Sequence, residues 1–238
     1  RAPVSPSARR RAKELGIDAE ILHGTGAQGA VTLADVEAAA ARQGGAVAQG
    51  LPIDRQQAMR RAIAAAMGRS KREIPHYYLS EKIPMANALA WLQRRNAELP
   101  ITERILPAVL QLKAVAMALK RVPQLNGFYR DDAFQPVAAV HAGVAISLRG
   151  GGLVAPALHD VAVKPLEQLM RELADLVKRA RAGSLRSSEM SDPTITITNL
   201  GDQGVETVFG VIYPPQVALV GFGSVAVRPW VEGGELCA

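Results

Sequence analysis

The sequence predicts a small helical unit followed by a larger α/β (α+β) domain of two layers. Three observations carry that reading. A glycine-punctuated, helix-forming stretch occupies residues 5–41, an Ala/Gly/Gln-rich stretch follows it, and long amphipathic helices then alternate with short apolar strands. The boundaries fall at 1–43 for the first unit, 44–52 for a linker and 53–238 for the second unit.

In the first unit, Ser5-Pro6-Ser7 opens a helix, because a proline in the first turn loses no hydrogen bond there. A short basic helix over 8–15 ends at Gly16, and Gly24-Thr25-Gly26 with Gly29 forms a loop. Thr32 then caps a helix to about Ala41, with Asp35 three residues on as the acid of a capping box. In the second unit, Met59, Ile63 and Met67 recur four apart along a helix over 55–69. Tyr77 to Ile83 alternates like a strand. Asn87–Glu98 and Arg104–Arg121 read as amphipathic helices. Val140–Leu148 and Leu153–Ala157 read as strands joined by a turn at Gly150-Gly151-Gly152. Leu166, Leu169, Leu173 and Leu176 share one side of a long helix over 165–182. Thr194–Asn199 alternates threonine with isoleucine, and Gln216–Phe222 is an apolar strand.

The 238 residues are 48% hydrophobic and 21% charged, ample for a core, but only 4% are aromatic, so alanine and branched aliphatics must fill it. One cysteine, Cys237, excludes a disulfide framework and a cysteine metal cluster. No run approaches the roughly 18 apolar residues that span a membrane. A cytoplasmic location, or the mitochondrial matrix in a eukaryote, is the expectation. The formal charge of +6 admits nucleic acid or an acidic protein as partner. The basic cluster Arg9-Arg10-Arg11-Lys13 lacks interleaved aromatics, however, which argues against nucleic acid.

Both units resemble one family. Residues 5–37, running Ser-Pro-Ser-Ala-Arg-Arg-Arg-Ala-Lys-Glu-Leu-Gly-Ile-Asp, then Gly-Thr-Gly-x-x-Gly and Thr-Leu-Ala-Asp-Val, look like a peripheral subunit-binding domain. Residues 55–233 look like the acyltransferase domain of the 2-oxoacid dehydrogenase complexes. The matching pieces include Arg60-x-x-Ile63-Ala64, Pro123-x-Leu125-Asn126, Thr196-Ile197-Thr198-Asn199-Leu200-Gly201 and Val211-Ile212-x-Pro214-Pro215. The resemblance implies a small three-helix-type domain followed by a chloramphenicol-acetyltransferase-like fold. It implies homotrimers with active sites between subunits, possible larger cores, and transfer of an acyl group between a dihydrolipoyl thioester and coenzyme A as substrate.

Thiol-to-thioester transfer needs a base and a donor to the tetrahedral oxyanion. By resemblance, Thr198 is the oxyanion donor. Asn126, Ser80 and Arg60 are candidates for binding coenzyme A; read without the resemblance, they are a turn residue, a strand residue and a solvated helix charge. The family's base belongs to an HxxxDG motif that this sequence lacks, and none of His23, His76, His141 and His159 is followed by Asp-Gly at that spacing. Truncation is the preferred expectation, since Arg1 is not an initiating methionine and no lipoylation site is present; the lipoyl group would sit on a domain outside this chain. Arg9, Arg10 and Lys13 are the partner-binding candidates, for a dehydrogenase or decarboxylase component, although Glu20 and Ala30 stand where the family favours basic residues. The competing reading is a catalytically inactive trimeric scaffold that docks partner subunits.

Overall fold

The computed structural model describes residues 3–15, 17–19, 22–47, 55–148 and 151–237. The chain divides into two compact units, residues 1–55 and 56–238. Among the described residues, no helix is long and apolar enough to cross a membrane.

Two helices, α1 (Pro6–Leu15) and α2 (Leu33–Val47), build the first unit, with a short 3-10 turn at Ala27–Gly29 between them. The Ser5 hydroxyl caps α1 by accepting the Ala8 N–H at 3.3 Å, and Pro6 starts the helix. Ala8, Ala12, Ile17, Val31 and Val36 form the core, small enough that polar ties must assist it. The chief tie is Asp35. Its carboxylate accepts from the Thr25 N–H and hydroxyl at 3.0 and 2.7 Å, and from the Thr32 N–H and hydroxyl at 2.8 and 2.9 Å. The Thr25 N–H, first among these donors, holds the Asp35 carboxyl far below the usual carboxylate range. The Asp35 N–H returns a bond to the Thr32 hydroxyl at 3.4 Å, completing the expected capping box. The helix runs past Ala41 into residues 44–47 of the expected linker; residues 48–52 and Gly16 lie outside the described residues.

The second unit begins with α3 (Arg55–Glu73), α4 (Ala86–Ala97) and α5 (Pro107–Leu119). Residues 75–85, between α3 and α4, carry no regular structure. The strand expected over Tyr77–Ile83 is therefore absent. Alternation marks a two-faced segment but supplies no neighbouring strand to pair with, and Tyr77 and Leu79 are both more than four-fifths exposed.

A hairpin of β1 (Gly127–Arg130) and β2 (Ala133–Pro136) follows, its turn built by Asp131 and Asp132 at φ 52° and 56°. The apolar stretch 140–148 is two short strands, β3 (Ala142–Val144) and β4 (Ile146–Ser147), rather than one. β4 pairs antiparallel with β5 (Leu153–Val154), as expected for a hairpin, although Gly150 of the expected turn lies outside the described residues; β6 (Ala157–Leu158) follows separately beyond Pro156. Helix α6 (Leu166–Ala182) and the short α7 (Ser187–Ser191) lead to β7 (Ile195–Asn199). The strand expected over 216–222 is shorter, β8 (Leu219–Phe222), and Gln216 instead makes an isolated bridge to Phe128. A last hairpin joins β9 (Trp230–Glu232) to β10 (Glu235–Cys237).

The central sheet has the order β6-β3-β7-β8, antiparallel at β6/β3 and parallel thereafter. Helices α5 and α6 bury Val109, Leu112, Leu169, Leu173 and Leu176 in one core with Ile195 and Ile197 of β7. That accounts for the alternating Thr/Ile sequence, since one face of the strand is apolar and the other carries the threonines. Gly183, at φ 72°, ends α6 in the left-handed conformation that residues with a Cβ resist. Lys113 of α5 fastens the turn before α6, donating to the carbonyls of Val161, Ala162 and Lys164 at 3.2, 2.8 and 2.7 Å. Burial pushes its ammonium below the usual lysine value.

Candidate active site

Thr198 is half-buried near the C-terminal end of β7, in register with Gly221 of β8. The chain just beyond Thr198 is tightly fastened. Asn199 donates from Nδ2 to Gln111 Oε1 of α5 at 2.7 Å, while its Oδ1 accepts the Gly201 N–H at 2.8 Å. The Leu200 N–H reaches the Phe222 carbonyl at 3.0 Å, and Ser224 donates to Val205 at 2.8 Å. A Cβ on Gly201 would lie 2.6 Å from the Gly223 carbonyl oxygen, and one on Gly223 would lie 1.8 Å from that of Glu206. Only glycines let these backbones approach so closely. A tight turn therefore follows β7, closed at Gly204 with φ 76°.

The other two threonines of this face are bound internally. Thr196 donates to Gln216 Oε1 at 2.7 Å. Thr194 donates to Asn126 Oδ1 at 2.6 Å. Asn126 is 2% exposed, and both its amide hydrogens are taken, by the carbonyls of Val137 at 2.5 Å and Ala139 at 2.9 Å. Within the chain it is a tie at the start of β7, four residues from Thr198, or about 13 Å along a strand. Within the chain, the Asn126 amide is engaged by these internal partners. Ser80 lies exposed on the irregular segment 75–85, not on a strand. Arg60 is exposed on α3. No hydrogen bond among the described residues joins any two of Thr198, Asn126, Ser80 and Arg60.

The histidines serve elsewhere. His76, expected at a strand entrance, instead fixes the irregular segment. Its Nδ1 lies 2.9 Å from the Ile74 carbonyl and its Nε2 accepts the Ile212 N–H at 3.0 Å, so the proton belongs on Nδ1. His141 precedes β3, and its carbonyl accepts the Thr194 N–H, at the end of β7 opposite Thr198. Its ring packs edge-on against His159 with centroids 4.9 Å apart. The His141 Nδ1 accepts the Asp160 N–H at 3.1 Å, and His159 Nε2 lies 3.0 Å from an Asp192 oxygen. Burial lowers the His141 pKa from its ordinary value, outweighing the Asp160 carboxylate nearby. These histidine–aspartate contacts, and the Gln111–Asn199 pair, join residues tens of positions apart and leave no local signal in the sequence. Among the described residues, no group of histidine, cysteine and carboxylate side chains could hold a metal ion.

In the first unit, Arg9, Arg10 and Lys13 are exposed on α1, while Arg11 pairs with Glu14 at 2.9 Å. His23 is exposed in the same unit.

Chemically, the arrangement offers one hydroxyl on a rigid strand end, backed by a bend whose backbone groups are already paired. Such a hydroxyl suits a hydrogen bond to developing negative charge.

Comparison with known proteins gives both units counterparts. Residues 53–238 match the family model of the catalytic domain of 2-oxoacid dehydrogenase acyltransferases, and residues 2–37 match that of the E3 binding domain. The chain is 33% identical over 248 residues to the dihydrolipoyllysine-residue acetyltransferase component of the pyruvate dehydrogenase complex of Zymomonas mobilis, covering 97% of this chain and 56% of that protein. It is also 33% identical over 249 residues to the lipoamide acyltransferase component of the branched-chain alpha-keto acid dehydrogenase complex of Pseudomonas aeruginosa, covering 98% and 58%. The chain thus spans less than two thirds of the length of these relatives. Among solved structures, the dihydrolipoamide acetyltransferase of Azotobacter vinelandii aligns with a TM-score of 0.70 at 26% identity, over 75% of this chain and 74% of that one. A probable dihydrolipoamide acetyltransferase from Listeria monocytogenes aligns at 0.67 and 28%, over 81% of each chain. The larger unit has the fold of these catalytic cores.

Proposed function

Because the chain belongs to the 2-oxoacid dehydrogenase acyltransferase family, we propose that its larger unit transfers an acyl group between dihydrolipoyl-lysine and coenzyme A. A thiolate attacks the thioester carbonyl, the carbonyl oxygen takes up the negative charge, and the tetrahedral intermediate collapses by expelling the other sulfur as thiolate. Thr198 donates its hydroxyl to that oxygen. The observation that carries this reading is the fixed position of Thr198 on β7, held by the Asn199–Gln111 bond and by the close approach of Gly201 to Gly223. A hydroxyl already in place needs no reorganisation as charge develops, and one such donor is worth about 10²- to 10³-fold in rate.

The thiol must also lose its proton, and no histidine among the described residues touches Thr198. We take the base to be the histidine of the family's HxxxDG motif, acting where sites form between the subunits of a trimer. The exposed cations Arg9, Arg10 and Lys13 give the smaller unit a face for an acidic surface on a dehydrogenase or decarboxylase component. The lipoyl group is carried on another domain.

A second reading, which the exposed cations of α1 also fit, is a scaffold that trimerises and docks partners without chemistry. One assay separates the two. Transfer from acetyl-, isobutyryl- and succinyl-coenzyme A to dihydrolipoamide is measured for this chain alone and for the chain extended by an HxxxDG-bearing segment. Activity appearing in the extended chain supports the transferase. A folded, trimeric extended chain inert to every donor supports the scaffold.

A further inference from the structure

A second place in the larger unit is shaped for a ligand. A cavity of about 420 Å³ opens between α6, the end of β6 and the residues leading into α7. It lies at the His159 end of the sheet, whereas Thr198 stands at the other end of β7, so it is separate from the site described above. Helix α6 contributes residues 171, 172, 175, 176 and 179, which recur at the spacing of a single stripe beside the stripe that faces the core.

The walls are crowded with charge, and most of it is paired internally. Lys164 lies 2.7 Å from Glu172, and Arg179 holds Asp175 at 2.6 Å and Glu189 at 2.5 Å. Two cations remain. Arg171 and Arg186 are exposed residues that line the same cavity; neither makes a salt bridge with a described residue, and their nearby carboxylates, Glu167 and Glu189, are already bonded to Arg95 and Arg179. An unpaired arginine on a convex surface is simply solvated. Two of them bordering one concavity reinforce each other, because walls of low dielectric focus their field into it. Guanidinium forks also match the oxygens of a phosphate better than a point charge does.

The rest of the lining narrows the ligand. The lining's one aromatic ring is His159, which is already packed edge-on against His141 and held 3.0 Å from Asp192, and the apolar surface is limited to Ala157, Leu158 and Leu176, so the cavity offers little for a flat base to stack on. The carboxylates of Glu172 and Asp175 would accept hydrogen bonds from hydroxyl groups. The volume exceeds that of a lone phosphate and falls within the range of small-molecule sites. We propose that this cavity binds a small phosphorylated, hydroxyl-bearing molecule, its dianionic phosphate held by Arg171 and Arg186. This inference rests on no part of the acyltransferase reading.

The test is calorimetric titration of the 238-residue chain with ribose 5-phosphate, inorganic phosphate and ribose, at about 0.15 M salt. Ribose 5-phosphate is expected to bind saturably and ribose not at all. Arg171→Ala and Arg186→Ala should each weaken binding about tenfold or more, the scale for losing a hydrogen bond between charged groups. Lys178→Ala, on an exposed part of α6 away from the cavity, should leave it unchanged. Tighter binding of ribose 5-phosphate than of phosphate supports the hydroxyl-bearing ester; equal binding overturns it, since the hydroxyl groups would then contribute nothing. Absence of saturable binding, or equal weakening by Lys178→Ala, overturns the proposal. Circular dichroism verifies each fold, and Arg171→Lys, which keeps the charge but loses the fork, serves if the alanine variant unfolds.

Discussion

At the scale of single residues, two ionisable groups tie stability to pH in ways the structure makes explicit. Asp35 is held well below its ordinary pKa by the N–H groups and hydroxyls of Thr25 and Thr32. Its contribution is therefore present above the unfolded value near 4 and is lost as pH falls through the folded value. Asp35→Asn should lower the melting temperature of the smaller unit at pH 7, and the gap from wild type should shrink below about pH 4. His141 acts in the same direction for a different reason, because burial disfavours the charged form of its imidazole. Below about 6.5 the unfolded chain takes up the proton more readily than the folded one, so stability falls as pH drops from there. His141→Asn should flatten that part of the stability curve, and an NMR titration of the His141 ring should give a midpoint below 6.5. Glu189 is 5% exposed and depends on Arg179 for compensation. Arg179→Ala should cost about 3 kcal/mol in chemical denaturation, the scale for stranding a buried charge.

At the scale of elements, the helices were legible because burial imposes a 3.6-residue period that survives in the sequence; Leu169, Leu173 and Leu176 announce the inner face of α6. β7 was legible for the matching reason, since Ile195 and Ile197 face the core while Thr194 and Thr196 do not. The short strands were harder. Pro156 and the bend at Ala145 break runs that read as continuous, and Tyr77–Ile83 alternates without a partner strand. Pairing is a property of the neighbour, which a single segment does not encode. The same gap explains Asn126. In sequence it is a turn residue with a family resemblance, and only the fold shows that Val137, Ala139 and Thr194 occupy its amide. Gln111 is the reverse case, a buried polar residue on a largely apolar helix whose partner Asn199 follows the candidate oxyanion donor. Gln111→Leu leaves the Asn199 amide without that partner. It should cost about 1–2 kcal/mol in stability and lower the acyl-transfer rate out of proportion to any change in KM.

At the scale of the whole chain, two cores close separately, one around Ala8, Val31 and Val36 and the other around the α5–α6–β7 contact. Residues 56–238 expressed alone should therefore melt at the temperature of the larger unit in the full chain, as calorimetry would record. The smaller unit exposes cations on α1, and its partner binding should weaken with salt and with Arg9→Glu or Arg10→Glu. The two units were visible in the sequence, because the Ala/Gly/Gln-rich stretch near residues 44–52 separates a short basic helical segment from the long helices and apolar strands that follow. Of the candidate site, the sequence offers Thr198 and the glycines Gly201 and Gly204 beside it.

The most direct measurement of the central claim is kcat for acyl transfer from acetyl-coenzyme A by the chain extended with the histidine-bearing segment, comparing Thr198→Ser and Thr198→Ala. If Thr198 donates to the oxyanion, the serine variant retains most of the rate, and the alanine variant loses about 10²- to 10³-fold in kcat with KM little changed. Equal rates for wild type and Thr198→Ala, in protein of unaltered stability, would contradict the account and return Thr198 to the role of an ordinary strand residue.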